Sequence, residues 1–185
     1  MATETTNLTS SSMTGTATNS KLKELLIDQL QDIYWAEKKL IKALGKMMDA
    51  ATGSQLKEAF RDHQEQTREH ARRLEDVFSS IGEDADTTKC PAMAGIISEA
   101  EDIIDETDEG TSQRDAALIL AAQKAEHYEI ATYGGLAQLA ETLGYTEAKQ
   151  LLGRTLQEEK NTDALLTRIA ESGINQQAST ESSSM

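Results

Sequence analysis

Glu37 is a carboxylate within an otherwise apolar helical stripe. Apolar residues precede and follow it at helical spacing, among them Leu30, Ile33, Leu40 and Leu44. Because residues three or four apart share one face of a helix, this spacing predicts that Glu37 points into a core. A carboxylate without a partner is costly there, so it must either take up a proton or meet a countercharge.

Three later segments also carry polar residues on the inward line of a predicted helix. These residues are His63, Gln66 and His70 in one segment, Glu126 and Glu129 in the next, and Glu158 or Glu159 in the last. Glu159 fits the apolar line of its helix better than Glu158, whereas Asp163 fits an inward and a surface position equally. Four helices with ligand-type residues at mid-length are typical of a metal site inside a helix bundle.

The depth of these residues in the bundle follows from their distance along the chain to the turns at Gly53 and Gly144. A helix rises about 1.5 Å per residue, so residues equally far from a turn meet at one level. The residues predicted to lie within one helical turn of each other are Glu37, Gln66, His70, Glu129 and Glu159. His63, three residues before Gln66, can face the same point.

The residue types indicate which ions such a site would take. Two divalent ions balance about four carboxylates, and oxygen donors mixed with imidazole suit iron or manganese. Calcium needs more carbonyl ligands than helix interiors offer, and a thiolate zinc site is excluded by the single cysteine. We therefore predict two divalent ions, either iron or manganese. The sequence assigns no catalytic residue and predicts no organic cofactor.

The elements that position these residues are predicted to be entirely helical. One proline and an aromatic content of 4% favour helix throughout. Four long helices are predicted at about 20–51, 55–81, 112–143 and 146–172, with a short one at 92–106. Ser20 and Ser54 are expected N-caps, and Ser112 with Asp115 has the pattern of a capping box. Two hairpins joined by a long crossover form the ferritin-like, all-α four-helix bundle.

Composition indicates the domain boundaries, the classes of partner that are disfavoured and the cellular location. Residues 1–19 and 174–185 are polar tails expected to be disordered, and residues 20–173 form the bundle. The net charge of −14 disfavours binding to nucleic acid and to anionic membranes. No segment is long and apolar enough to span a membrane, and the N-terminus lacks the pattern of a secretory signal. A cytoplasmic location is the resulting expectation.

Several motifs resemble one known family over about residues 21–172. They are Asp32–Lys38, Lys89–Met93, Arg114–Leu118, Ala125–Ala131 and Glu158–Lys160. These segments resemble the bacterial YciF/YciE ferritin-like stress proteins. The resemblance implies a ferritin-like fold related to rubrerythrins and manganese catalases, a homodimer, a di-metal centre with iron, and a link to general stress.

The chain departs from the usual ferritin-like pattern in two places. The common Glu-x-x-His motif is absent, and the third long helix carries Glu126-x-x-Glu129 instead. The second helix has Gln66-Thr67 where relatives carry Glu followed by Thr. An amide is a weaker ligand than a carboxylate, so the ligand from this helix stays open among His63, Gln66 and His70.

Three functions are compatible with these observations. The first is a redox-active di-metal protein that handles peroxide or oxygen during stress. In it Glu37, Glu126, Glu129 and Glu159 hold and bridge the ions. The second is a metal-binding protein without turnover, which limits free iron. The third is a dimeric interaction bundle without a working site.

Overall fold

The computed structural model describes residues 20–182, which form helices and turns and contain no strand. The predicted tail at 1–19 and residues 183–185 lie outside this range. The helices are α1 Lys21–Ala50, α2 Ser54–Ser80, α3 Pro91–Glu106, α4 Ser112–Thr142, α5 Thr146–Ile169 and α6 Asn175–Ala178, with a π-helical turn at Ala170–Ile174. The predicted all-α class is thereby confirmed.

Two helical hairpins pack against each other to form the bundle. α1 packs on α2 and α4 on α5, while α2 meets α5 and α1 meets α4 across the hairpins. The crossover helix α3 lies over α1 and α4, and it buries Met93 and Ala100. None of the helices within residues 20–182 combines the length and apolarity needed to cross a membrane.

The turn between α1 and α2 is capped by a residue from the other hairpin. Ser54, predicted as the N-cap of α2, is instead the first helical residue, and the cap position belongs to Gly53, which has no side chain to offer. The buried carboxylate of Asp115 on α4 accepts hydrogen bonds from the backbone amides of Thr52 and Gly53, both at 2.7 Å. A Cβ at position 53 would lie 3.0 Å from Asp115 Oδ2, so glycine suits this close approach.

The predicted capping box at the start of α4, made of Ser112 and Asp115, is therefore wrong. Thr111 is the N-cap, and its hydroxyl accepts from the backbone amide of Arg114 at 3.2 Å. Asp115 does not return to its own helix end, because its carboxylate is taken by the two amides across the bundle. Backbone amides from the other hairpin thus take the place of the local amide that a capping box would use.

The predicted disordered tail from residue 174 is also incorrect for the part that the structure describes. Gly173 takes a φ of 146°, and beyond it the chain forms α6 instead of leaving the bundle. The carboxylate of Glu181 then accepts from the amides of Ser112 and Gln113, at 2.6 and 2.9 Å. An anion at a helix N-terminus is favoured by the unpaired amides there, which explains why this polar segment is ordered.

Replacing Asp115 with alanine should destabilise the fold, because two backbone amides lose a charged acceptor. We expect Asp115→Ala to lower the free energy of unfolding by about 2–3 kcal/mol. Urea unfolding followed by circular dichroism measures this. Asp76→Ala, at an exposed position on α2, is the matched control and should stay near wild type. Equal unfolding midpoints for the two variants would contradict the cross-hairpin cap.

Candidate metal centre

Six of the seven predicted ligand side chains converge at the centre of the bundle. They are Glu37 from α1, His63 and His70 from α2, Glu126 and Glu129 from α4, and Glu159 from α5. Each is at most 3% exposed. Their spacing explains the convergence, because residues three or seven apart on a helix lie on the same face.

The six side chains form two groups that share one carboxylate. In the first, His63, Glu126, Glu129 and Glu159 each place one ligand atom within 4.8 Å of the others. In the second, Glu37, His70 and Glu159 do the same. Glu159 can therefore contribute to two adjacent positions, which is the arrangement of a bridging carboxylate.

Within these groups, two histidine nitrogens lie at ion-pair distance from carboxylate oxygens. His63 Nε2 lies 2.9 Å from Glu126 Oε1, and His70 Nδ1 lies 2.8 Å from Glu159 Oε1. Nevertheless, ten buried side-chain oxygen and nitrogen atoms of the six residues have no hydrogen-bond partner within residues 20–182. Buried polar atoms are rarely left without partners, and these atoms converge on common points. This donor set of carboxylate oxygens and imidazole nitrogens fits bound iron or manganese.

An outer carboxylate holds the imidazole of His70. His70 Nε2 lies 2.9 Å from Glu158 Oε2, with hydrogen-bonding geometry. Glu158 is fixed in turn by Arg73, whose Nη1 donates to it at 2.7 Å and to Thr155 Oγ1 at 2.8 Å. In a neutral His70 with the Nε2 proton assigned to this bond, the lone pair of Nδ1 would point toward the centre, where Glu159 lies. Histidine ligands of metals are commonly oriented in this way.

The structure thus gives separate roles to the two adjacent glutamates of α5. Glu159 points inward, as the apolar line predicted. Glu158 lies at the rim with 34% of its side chain exposed, and it reaches the outer nitrogen of the same histidine. Its neighbour Arg73 offers no sequence signal for this role, because the contact joins two helices that are distant along the chain.

Tyr133 touches the site, a contact that the sequence analysis missed. Its hydroxyl donates a hydrogen bond to Glu37 Oε1, and the residue is fully buried. The available signal was its position four residues after Glu129, on the same face of α4. The bond holds one oxygen of Glu37, while its other oxygen, Oε2, has no hydrogen-bond partner among residues 20–182.

Burial dominates the electrostatics of the carboxylates. It raises the pKa of Glu37 to about 7 and that of Glu126 to about 8. Burial also raises the pKa of Glu129 well above its usual value, and the neighbouring charges of Glu159 and Glu37 add to this effect. The pKa of Glu159 is raised by burial too. Four carboxylates thus lie where each disfavours the charge of the next, and bound cations would relieve this repulsion.

The pKa values of the two buried histidines shift in opposite directions. Burial lowers the pKa of His63. Burial alone would also lower the pKa of His70, but the carboxylates of Glu159 and Glu37 outweigh it and raise this pKa to about 9. The carboxylates of Glu159 and Glu37 thus favour a positive charge on His70.

Gln66 is the predicted ligand that is not buried with the other six side chains. It is exposed, and its Oε1 accepts from Thr162 Oγ1 at 3.4 Å. Gln66 has the predicted depth but the wrong rotation about α2. Thr67 occupies the inward position instead, and its hydroxyl bonds to the carbonyl oxygen of His63 at 2.8 Å. Of the three alternatives on α2, the two histidines face the centre.

Asp163 lies outside the two groups as well. It is 25% exposed, and its Oδ1 accepts from Gln123 Nε2 at 3.0 Å. His127, which lies off the inward stripe, is 72% exposed and places Nε2 3.4 Å from the same oxygen. These two residues mark the outer surface of α4 and α5 near Glu126.

Comparison with known sequences yields one family and a named relative. A family model described as "Domain of unknown function (DUF892)" matches residues 21–179. Protein YciF from Escherichia coli (strain K12) is 46% identical over 158 residues, which cover 85% of this chain and 95% of the relative.

Three solved structures share the fold. The crystal structure of the Escherichia coli stress protein YciF aligns with a TM-score of 0.80 at 46% identity, covering 85% of this chain and 99% of the other. YcfI from Rhodopseudomonas palustris aligns with a TM-score of 0.77 at 38% identity, covering 80% and 94%. A protein from Xanthomonas campestris, at 22% identity with 85% and 95% covered, has a TM-score of 0.64 and supports the fold alone.

Glu129→Gln should separate the stability of the chain from its affinity for metal. Without metal, removing one of four crowded carboxylates should raise the free energy of unfolding by about 1 kcal/mol or more. With saturating Mn²⁺, the stabilisation gained from the ion should be smaller than in wild type. Urea unfolding with a chelator and with Mn²⁺ measures both effects. A chelated variant less stable than wild type would count against crowding of charge, and Glu106→Gln, exposed at the end of α3, is the control.

Glu158→Gln should weaken metal binding although Glu158 belongs to neither group. The change weakens the pairing with Arg73 and the hold on His70, so the affinity for Mn²⁺ should fall about tenfold or more. Isothermal titration calorimetry gives the affinity, again with Glu106→Gln as the control. Affinity equal to wild type would show that the outer carboxylate does not orient His70.

Proposed function

The chain belongs to the DUF892 family, and on that premise we propose that it is a di-metal protein of the stress response. It binds two divalent ions, iron first and manganese second, and it handles peroxide or dioxygen. The observation that carries the proposal is the set of ten buried ligand-type atoms that have no hydrogen-bond partner in the described part of the chain. They belong to six side chains in two groups that share Glu159.

Charge balance supports two ions in place of one. The four carboxylates carry four negative charges when ionised, which two divalent cations neutralise while both histidines stay uncharged. One divalent ion would leave two buried negative charges uncompensated, at a cost of several kcal/mol each. The sharing of Glu159 by both groups also favours two adjacent positions.

The residues around the groups would prepare the site for redox chemistry. When bound, two ferrous or manganous ions would supply redox chemistry, since reducing one hydrogen peroxide to two waters takes two electrons and two protons. Glu159 is placed to contact both positions, while Tyr133 orients Glu37 and the pair of Glu158 and Arg73 orients His70. The near-complete burial of the ligands keeps bulk water away and strengthens each electrostatic interaction.

The link to stress comes from the named relative. YciF of Escherichia coli is described as a stress protein, and its identity of 46% over most of both chains supports the same setting for this protein. For YcfI a structural role has been suggested. The homodimer implied by the family resemblance stays a prediction, which analytical ultracentrifugation of the purified chain would test.

A second candidate function is metal binding without turnover. It is favoured by the burial of all six ligand side chains, since ions held at such depth exchange slowly with solvent. The two candidates share the metal site and differ only in reactivity, so they are separated by peroxide consumption at equal metal content.

Glu159→Gln should reduce metal at both positions, because both groups use this carboxylate. Elemental analysis of protein purified without added metal should find iron or manganese in wild type and little in the variant. Glu126→Gln, which alters only the first group, should retain more metal than Glu159→Gln. Wild-type metal content in both variants would place the ions elsewhere or nowhere.

Peroxide consumption then tests the proposed enzymatic activity. The metal-loaded wild type should remove hydrogen peroxide faster than the same concentration of free metal, and Glu106→Gln should match it. Metal bound at full content with no turnover above free metal would support the second candidate. Absence of metal after purification and after loading would reject both candidates and leave the interaction bundle.

A further inference from the structure

A surface pocket between α1 and α3 is lined by a cluster of lysines. Its volume is about 390 Å³, within the range of roughly 300–1,000 Å³ that small-molecule sites occupy. Four of the eleven lysines of the chain line this lysine pocket, namely Lys39, Lys42, Lys46 and Lys89. The lining contains one carboxylate, that of Glu101. The chain as a whole has 32 acidic and 18 basic residues, so the pocket has the opposite charge to most of the surface.

Three of the four lysines have no carboxylate partner within residues 20–182. Lys46 Nζ lies 2.5 Å from Glu101 Oε1, so these two charges compensate each other. The other lysines of this range that form ion pairs do not line the pocket, and they are Lys23, Lys124 and Lys149. Lys39, Lys42 and Lys89 therefore present three uncompensated positive charges around one space.

The start of α3 adds to this positive charge. Lys89 directly precedes the N-cap Cys90, and Ala94, one turn into the helix, also lines the pocket. The N-terminal end of a helix carries partial positive charge, which an acidic residue often balances. Here the first turn has no acidic residue, and the cap is a thiol sulfur, a weak acceptor. This helix end therefore reinforces the charge of the lysines.

The indole of Trp35 gives the lysine pocket a flat apolar surface. Trp35 is the one tryptophan of the chain, and it is partly exposed. Lys39 Nζ lies 5.3 Å from the centre of its ring, so an ammonium group and the aromatic surface are adjacent. Ala43, Ala94 and Ile97 supply further apolar atoms to the lining. A ligand here can cover apolar surface with a flat ring while its negative charges meet ammonium groups.

We propose that the lysine pocket binds a small anion that carries both a flat ring and phosphate groups, as a nucleoside diphosphate does. The ring lies against Trp35 and Ile97, and the phosphates meet Lys39, Lys42 and Lys89. A ligand with a single carboxylate would compensate one of the three charges, whereas a diphosphate carries several negative charges. Inorganic phosphate alone would leave the indole uncovered. The combination of ring and phosphate therefore uses the whole pocket.

A free nucleotide fits the rest of the protein better than a nucleic acid strand does. A strand has the same chemical groups, but the net charge of −14 disfavours the approach of a long polyanion. The proposal is also independent of the metal centre, because none of the six ligand side chains lines the pocket. It adds a second binding site to the one described above.

Trp35 reports binding without a label, because the chain has no other tryptophan. ADP added to the full chain should quench the fluorescence of Trp35 in a saturable way. Lys42→Met and Lys89→Met each remove one ammonium group and should weaken ADP binding severalfold. Lys57→Met, at an exposed position on α2 outside the pocket lining, removes the same charge and should bind as wild type does. Added salt should weaken binding by the wild type, because it screens exposed charges.

Two partial ligands separate the contributions of the ring and the phosphates. Adenosine has the ring without phosphate, and pyrophosphate has the phosphates without a ring, so each should bind severalfold more weakly than ADP. Isothermal titration calorimetry measures both without relying on the indole. By the same method, Trp35→Phe should weaken the binding of ADP and leave that of pyrophosphate unchanged.

Four outcomes would overturn the nucleotide site. One is the absence of saturable quenching at millimolar ADP. Another is an equal loss of affinity in Lys42→Met and Lys57→Met, because that result indicates general attraction of anions to the surface. Pyrophosphate binding as tightly as ADP would indicate an adventitious ion only, and a single-stranded oligothymidine that binds more tightly than ADP would assign the pocket to nucleic acid. If Lys42→Met does not fold, Lys89→Met, which lies before α3, decides the question.

Discussion

Four carboxylates share a dry interior, and the rest of the structure depends on this constraint. Buried charges of one sign are unfavourable unless protons or cations compensate them, and the cost is several kcal/mol for each ion. An apolar core of the same volume would be more stable. The arrangement is therefore understandable as a binding site, in which the repulsion among Glu37, Glu126, Glu129 and Glu159 becomes affinity for divalent cations.

The surrounding contacts keep the carboxylates and histidines from relaxing away from each other. Tyr133 holds one oxygen of Glu37. The salt bridge between Arg73 and Glu158 anchors the outer nitrogen of His70. Each of these contacts joins two different helices, so the geometry of the site depends on how the helices are assembled. A site held this way can keep its geometry without bound ions, at some cost in stability.

The two hairpins supply different halves of the ligand set and are tied together outside it. α1 and α2 contribute Glu37, His63 and His70, while α4 and α5 contribute the other three carboxylates. Asp115 joins the hairpins by accepting two amides from the turn after α1. The crossover helix α3 covers the side between α1 and α4.

Helical periodicity alone determined which faces carry the site. Glu37 within an apolar stripe, the pair Glu126 and Glu129, and Glu159 on its apolar line are all local patterns, so the sequence was sufficient to predict them. The turns at Gly53 and Gly144 then set their common depth. Rotation about the helix axis was less certain, which is why Gln66 has the predicted depth and yet faces outward.

Tertiary structure decided every contact between residues that are distant along the chain. The roles of Asp115, Tyr133 and Glu158, and the ordering of the C-terminal segment by Glu181, depend on partners from other helices. The physical reason is that periodicity specifies the direction of a side chain relative to its own helix. Which donor, acceptor or empty space it meets there depends on how the helices pack.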